Sequence, residues 1–113
     1  METVIYTFVN KHSASAIEKN PALNADNPKV GCVVASKKSP GTVGIGWSRC
    51  AVNRGDNFKK EIAFNIALGR ANKGTIDLPP HSMFKAIETM QHRAIKYFKD
   101  CDVGLINPEF LTR

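Results

Sequence analysis

Pro28-Lys29-Val30-Gly31-Cys32-Val33-Val34-Ala35 is followed by Lys37-Lys38-Ser39-Pro40-Gly41 and then by Thr42-Val43-Gly44-Ile45-Gly46-Trp47-Ser48-Arg49-Cys50. Two apolar runs flank a Pro-Gly pair, the strongest turn signal in the chain. The stretch 28–50 therefore reads as a β-hairpin, with Lys29–Ala35 and Thr42–Ser48 as antiparallel strands. Side chains alternate across a strand, so Val43, Ile45 and Trp47 share one face and Gly44 and Gly46 the other. A strand face bare of side chains admits something close: a packed helix, a partner chain or a ligand.

Upstream, Thr3–Val9 is rich in β-branched and aromatic residues and reads as a strand. Residues 10–27 read as a long polar loop, in which Ser13 can cap one turn over Ala14-Ser15-Ala16-Ile17. Asn20-Pro21 and Asn27-Pro28 punctuate it. Downstream, Asp56 or Asn57 can cap a first helix, 57–73. Phe58, Ile62, Ile66 and Ala67 recur in it at helical spacing; Phe64 and Leu68 widen the stripe enough for two covered sides. Lys73-Gly74 looks like its end. Thr75–Leu78 is a connector or a very short strand. Ser82 is a candidate cap for a second helix, 82–99, with the stripe Met83, Ile87, Met90, Ala94 and Tyr97. Phe84, Gln91, Ile95 and Phe98 sit beside that stripe, and Val103–Ile106 is a candidate last strand. The reading is one α+β domain over 1–113, a small antiparallel sheet whose central hairpin packs against two long helices.

The formal net charge is +6, and its placement is uneven. Nine Lys and Arg lie between Lys29 and Lys73, against Asp56 and Glu61, which makes that segment +7 and the remainder −1. A localised positive field favours an anionic partner: nucleic acid, nucleotide or acidic protein. The same charge also serves a solvated surface.

Cys32, Cys50 and Cys101 are odd in number and contain no close pair, which argues against a disulfide scaffold and against a structural zinc site. Cys32 lies in a valine-rich strand and reads as packing. Met1-Glu2-Thr3-Val4-Ile5-Tyr6 does not read as a signal peptide, and no apolar stretch is long enough to span a membrane. The expected location is cytoplasmic.

His12, His81 and His92 are scattered, no carboxylate pair has acid–base spacing, and no cofactor motif is present, so the expectation is not an enzyme. The opening Asn27-Pro28-Lys29-Val30-Gly31-Cys32-Val33-Val34 with Gly44-Ile45-Gly46-Trp47 resembles that of zinc-dependent nucleoside and pterin-like deaminases. Those enzymes need a His-Ala-Glu segment on the next helix and Pro-Cys-x-x-Cys on the following one. Here the helices read Lys59-Lys60-Glu61-Ile62 and Pro79-Pro80-His81-Ser82, without those ligands. Phosphate binding has better support. The start of the first helix offers free backbone N–H groups, with Arg49, Arg54, Lys59 and Lys60 around it in sequence. Trp47 either stacks on a base or anchors its strand; Arg70 either reaches the same groove or pairs elsewhere. Neither helix has an arginine-rich face suited to a major groove, which leaves nonspecific nucleic-acid binding through Lys37-Lys38 as the weaker alternative.

Gly46-Trp47-Ser48-Arg49-Cys50, Asp56-Asn57-Phe58-Lys59-Lys60 and Ile66-Ala67-Leu68-Gly69-Arg70-Ala71 together resemble a segment of small bacteriophage proteins, the anti-Thoeris sponge proteins. The similarity covers about residues 30–100. It implies non-enzymatic sequestration of a cyclic ADP-ribose signal, or of cyclic dinucleotides at separate inter-subunit sites. It also implies an anti-defence role in the host cytoplasm and self-association as dimers or hexamers. On that resemblance Trp47 and Phe84 are the stacking candidates, and Arg49, Arg54, Arg70 and Arg113 the phosphate candidates, beside Lys59 and Lys60. The 10–27 insert departs from the family pattern. A phage-encoded inhibitor of a host protein is the other alternative.

Overall fold

The chain turns at Gly41, and the sheet is built around that turn. In the computed structural model, which describes residues 4–12, 14–39, 41–50, 58–73, 79, 81–99 and 101–103, Ser39 pairs with Thr42 across the turn. Gly41 there adopts φ 88°, a left-handed value that glycine takes without a Cβ clash. The strands of the hairpin are β2, Lys29–Ser39, and β3, Thr42–Arg49. The expected antiparallel pairing holds, with Val34 opposite Gly46 and Ala35 opposite Ile45. β1, Val4–Asn10, pairs antiparallel with the other side of β2. A two-residue β4, Asp102–Val103, runs parallel to the start of β3, giving the order β1-β2-β3-β4. The rest of the expected last strand, Gly104–Ile106, lies outside the described residues, as do Thr75–Leu78.

β2 is covered on both faces, which is why its sequence is a continuous apolar run rather than an alternation. Val30, Cys32, Val33, Val34 and Ala35 are all buried. α2, Lys60–Lys73, covers one face and α3, Phe84–Tyr97, the other. Val33, Ala35, Val43 and Ile45 pack with Met83, Ile87, Met90, Ala94 and Phe98 on the α3 side. Cys32 and Val34 pack with Ala63, Ala67 and Ala71 on the α2 side. The result is an α+β fold in three layers, helix, sheet, helix.

Three expectations change. Residues 10–27 are not a long loop. α1 spans Ala14–Lys19, and Pro21–Asp26 forms a 3₁₀ turn. Pro21 sits in the first turn of that helix, where its missing N–H costs nothing, so it starts an element as well as ending one. The first helix begins at Lys60, not 57, with the Lys59 carbonyl accepting the first bond, from the Ala63 N–H at 3.0 Å. The candidate caps Asp56 and Asn57 lie outside the described residues. The second helix is shorter than 82–99: a 3₁₀ turn, His81–Met83, precedes Phe84–Tyr97. Met83, not Ser82, holds the cap position, without a side-chain cap bond.

The buried faces also differ from the sequence reading. On α2 the alanines face the sheet, and Ile62 and Ile66 are 53% and 45% exposed. Gly46 explains the choice: a Cβ there would sit 2.1 Å from the Ala67 carbonyl oxygen. α2 lies directly on the bare strand, so only small residues fit at the contact. The glycine face therefore serves helix packing. Two hydroxyls fasten the helix: Ser48 Oγ donates to the Ala63 carbonyl at 2.7 Å and Ser36 Oγ to Asn72 Oδ1 at 2.9 Å. Along the stripe of α3 and the turn before it, Met83, Ile87, Met90 and Ala94 are buried as expected, but Tyr97 is exposed and Phe98 takes its place. Phe98 has left the helical path, at φ −103° and ψ 71°, which lets its ring drop into the core.

Burial has a chemical consequence at Cys32. Removal from water pushes its thiol from 9.0 up to about 11, because the thiolate cannot be solvated there. The folded state thus holds the proton more tightly than the unfolded chain. The resulting stability is fully present below about pH 9 and is lost as pH rises from about 9 to about 11. In urea melts, the native chain is expected to lose up to about 2 kcal/mol more than Cys32→Ala between pH 8 and pH 10.5. Equal losses in the two proteins would contradict this account. Thiol labelling gives a second readout: Cys50 and Cys101 are only half-buried and react first.

Candidate functional site

The end of β3 and the start of α2 enclose a cavity of about 460 Å³, lined by Ser48, Arg49, Cys50, Lys59, Ile62, Ala63 and Ile66. Its walls follow from the fold. The β2–β3 pairing is prolonged past Arg49 by a bond from the Cys50 N–H to the Val30 carbonyl at 2.7 Å, which holds the strand end in place. The Ser48 hydroxyl ties that end to the first turn of α2. Arg49 from the strand and Lys59 from the helix start are both exposed and line the same concavity. Among the described residues, no acidic side chain lines it. Ile62 and Ile66, left exposed because the alanines took the sheet face, form its apolar wall.

The remaining sequence candidates among the described residues do not converge there. Lys60 leans over the Phe8 ring at 5.4 Å, in a separate shallow depression lined by Tyr6, Phe8, Glu61 and Phe64. Phe84 belongs to α3, on the other side of the sheet. Arg54 and Arg113 lie outside the described residues. Arg70 reaches around β3: its guanidinium stands 4.5 Å from the centroid of the Trp47 ring and donates to the Trp47 carbonyl at 2.7 Å. Trp47 itself packs against the α3 core. A tryptophan side chain that meets one layer and carries an arginine from the other clamps the three layers together.

The Arg70 contact is testable apart from any ligand. A hydrogen bond to a charged donor and a cation–π contact together place Arg70→Ala at about 1–3 kcal/mol of lost stability. Arg70→Lys restores only part of it, since an ammonium lacks the planar fork that bonds and stacks at once. Urea melts followed by the emission of the single tryptophan read both effects. Wild-type midpoints in both variants would contradict the clamp.

Among the described residues, no cluster of three His, Cys, Asp or Glu could hold a metal ion, and no helix is long and apolar enough to cross a membrane. His92 stands 4.0 Å from Glu88 on the exposed side of α3. A larger cavity lies on the α3 side of the sheet, near Lys11, Lys85 and Arg93. The sequence reading passes over it, because those residues are far apart in the chain and outside the most basic segment. The chain matches no protein-family model, no curated protein and no solved structure.

Proposed function

We propose that the protein is a non-catalytic binder that holds a small phosphate-bearing ligand in the cavity between β3 and α2. The observation that supports this most is that Arg49 and Lys59 line one concavity, with no acidic neighbour among the described residues and an apolar wall beside them. Two cations on one small cavity favour an anion, and the isoleucines suit the organic body that carries it. The first turn of α2 adds free backbone N–H groups to the same region. The resemblance of the Gly46–Ala71 motifs to phage sponge proteins supplies the finer reading. On it, the ligand is a cyclic nucleotide immune signal of the cyclic ADP-ribose type, sequestered to block host antiphage defence. Self-association as dimers or hexamers belongs to the same finer reading.

The test is calorimetric titration with cyclic ADP-ribose isomers and cyclic dinucleotides, followed by heat release and mass analysis of the ligand. Saturable binding, release of unaltered ligand, and loss of roughly tenfold or more in affinity in Arg49→Glu/Lys59→Glu are expected. No binding across the panel overturns the nucleotide reading. Recovery of an altered ligand overturns the non-catalytic one. A gel shift of nucleic acid that weakens steeply with salt would favour the alternative of backbone binding.

A further inference from the structure

On the opposite face of the sheet, the end of β1, the start of α1 and one side of α3 surround a cavity of about 510 Å³. Its floor is apolar, with Val9, Ala86 and Met90. Its rim is cationic: Lys11 from the end of β1, and Lys85 and Arg93 from α3, with His12 and Thr89 between them. Lys85, Thr89 and Arg93 recur every fourth residue, which places them on successive turns of one helix face. No acid among the described residues lines the cavity. Among the described residues, no carboxylate pairs with Lys11, Lys85 or Arg93; the ion pair on this helix joins His92 to Glu88.

The wall opposite α3 is fixed by the backbone. The Lys11 N–H donates to the Pro28 carbonyl at 2.8 Å, and the His12 N–H to Asn27 Oδ1 at 2.7 Å. The pairing register shifts between Val9 and Asn10, just before this point, and such irregularities re-aim side chains at a strand end. Asn10 lines the cavity, with its Oδ1 out of reach of solvent. Three like charges on one concavity repel each other until an anion arrives.

We infer that this cavity is a second ligand site, for a small organic phosphomonoester such as a sugar phosphate or a nucleoside monophosphate. The phosphate sits among Lys11, Lys85 and Arg93, and the organic body lies against Val9 and Ala86. Lysines act on the phosphate as point charges and arginine as a fork. This site is independent of the β3–α2 cavity, from which the sheet separates it.

Amide shifts of the ¹⁵N-labelled full chain test it, with ribose 5-phosphate, adenosine 5′-monophosphate and inorganic phosphate as probes. An organic phosphate is expected to move the signals of Asn10, Lys11, His12, Lys85, Thr89 and Arg93 in a saturable way. The signals of Arg49, Cys50 and Ile62 report the other cavity and separate the two proposals. Lys85→Glu/Arg93→Glu should weaken binding by roughly tenfold or more. The milder Lys85→Ala and Arg93→Gln should each weaken it less, with the far-UV spectrum unchanged. Which organic probe binds tighter distinguishes the sugar from the nucleoside. Inorganic phosphate binding as tightly as either overturns the organic body. No saturable shift in this set, or shifts that survive in the double variant, overturns the site.

Discussion

Replacing Gly46 by alanine is expected to cost about 3 kcal/mol or more, at or beyond the upper end for overpacking a core. The added Cβ would lie 2.1 Å from the Ala67 carbonyl oxygen and 2.4 Å from the Ala71 nitrogen. Both are backbone atoms of α2, so no rotamer change relieves the contact. The helix must lift off the sheet, and with it go the bonds from Ser48 to Ala63 and from Ser36 to Asn72. Small domains hold only about 5–15 kcal/mol in total, so this one methyl removes a large share. Gly69→Ala is the matched control. It adds the same methyl in the interior of α2, where nothing lies within 4 Å. There the helix gains about 0.5–1 kcal/mol from alanine's higher propensity. Urea midpoints should therefore move in opposite directions. A Gly46→Ala protein as stable as wild type would mean that α2 does not rest on β3.

That contact also shows where sequence reading reached and where it stopped. Gly44 and Gly46 on one strand face announced a close approach, and the helix that makes it is the next one along the chain. The face of that helix was not legible, because periodicity ranks residues by hydrophobicity. Ile62 and Ile66 outrank Ala63, Ala67 and Ala71 on any such scale, yet the surface they would have to fill has no room. A complementary glycine overrode the usual rule. On α3 the opposing strands carry full side chains, the usual rule holds, and the expected stripe is buried except at Tyr97. The helices in 10–27 were hidden for another reason. α1 has six residues, too few to be stable from propensity alone, so its sequence carries little signal.

The site was legible in part. Arg49 and Lys59 line one concavity, because a strand end and the next helix start are close by construction. Arg70 and Lys60 lie on the same helix as the junction, but side-chain reach decided their partners, Trp47 and Phe8. Charge counting along the chain located the most basic segment. It could not find Lys11 beside Lys85 and Arg93, whose proximity exists only after the sheet has placed β1 next to α3's layer.

The two faces should fail in opposite ways, and Ile87→Ala is the second large test. Ile87 is fully buried between α3 and the sheet, among Val33, Ala35, Val43, Ile45 and Met90. Truncating an isoleucine in such a place costs about 2–5 kcal/mol, the lost transfer term plus the cavity left behind. Alanine's better helix propensity returns at most about 0.7 kcal/mol, so the net loss remains several-fold larger than the gain. With roughly 4–8 °C per kcal/mol for a small domain, a melting temperature about 10 °C lower is expected. Ile95→Ala isolates the packing term, since Ile95 is 53% exposed on the same helix and its truncation changes propensity without opening a core. It should leave the midpoint within about 0.5 kcal/mol of wild type. If Ile95→Ala were the damaging variant and Ile87→Ala the neutral one, α3 would be turned about its axis, and the cationic face of Lys85 and Arg93 would turn with it. The pair of variants thus checks the core and, through the same helix, the orientation on which the second cavity depends.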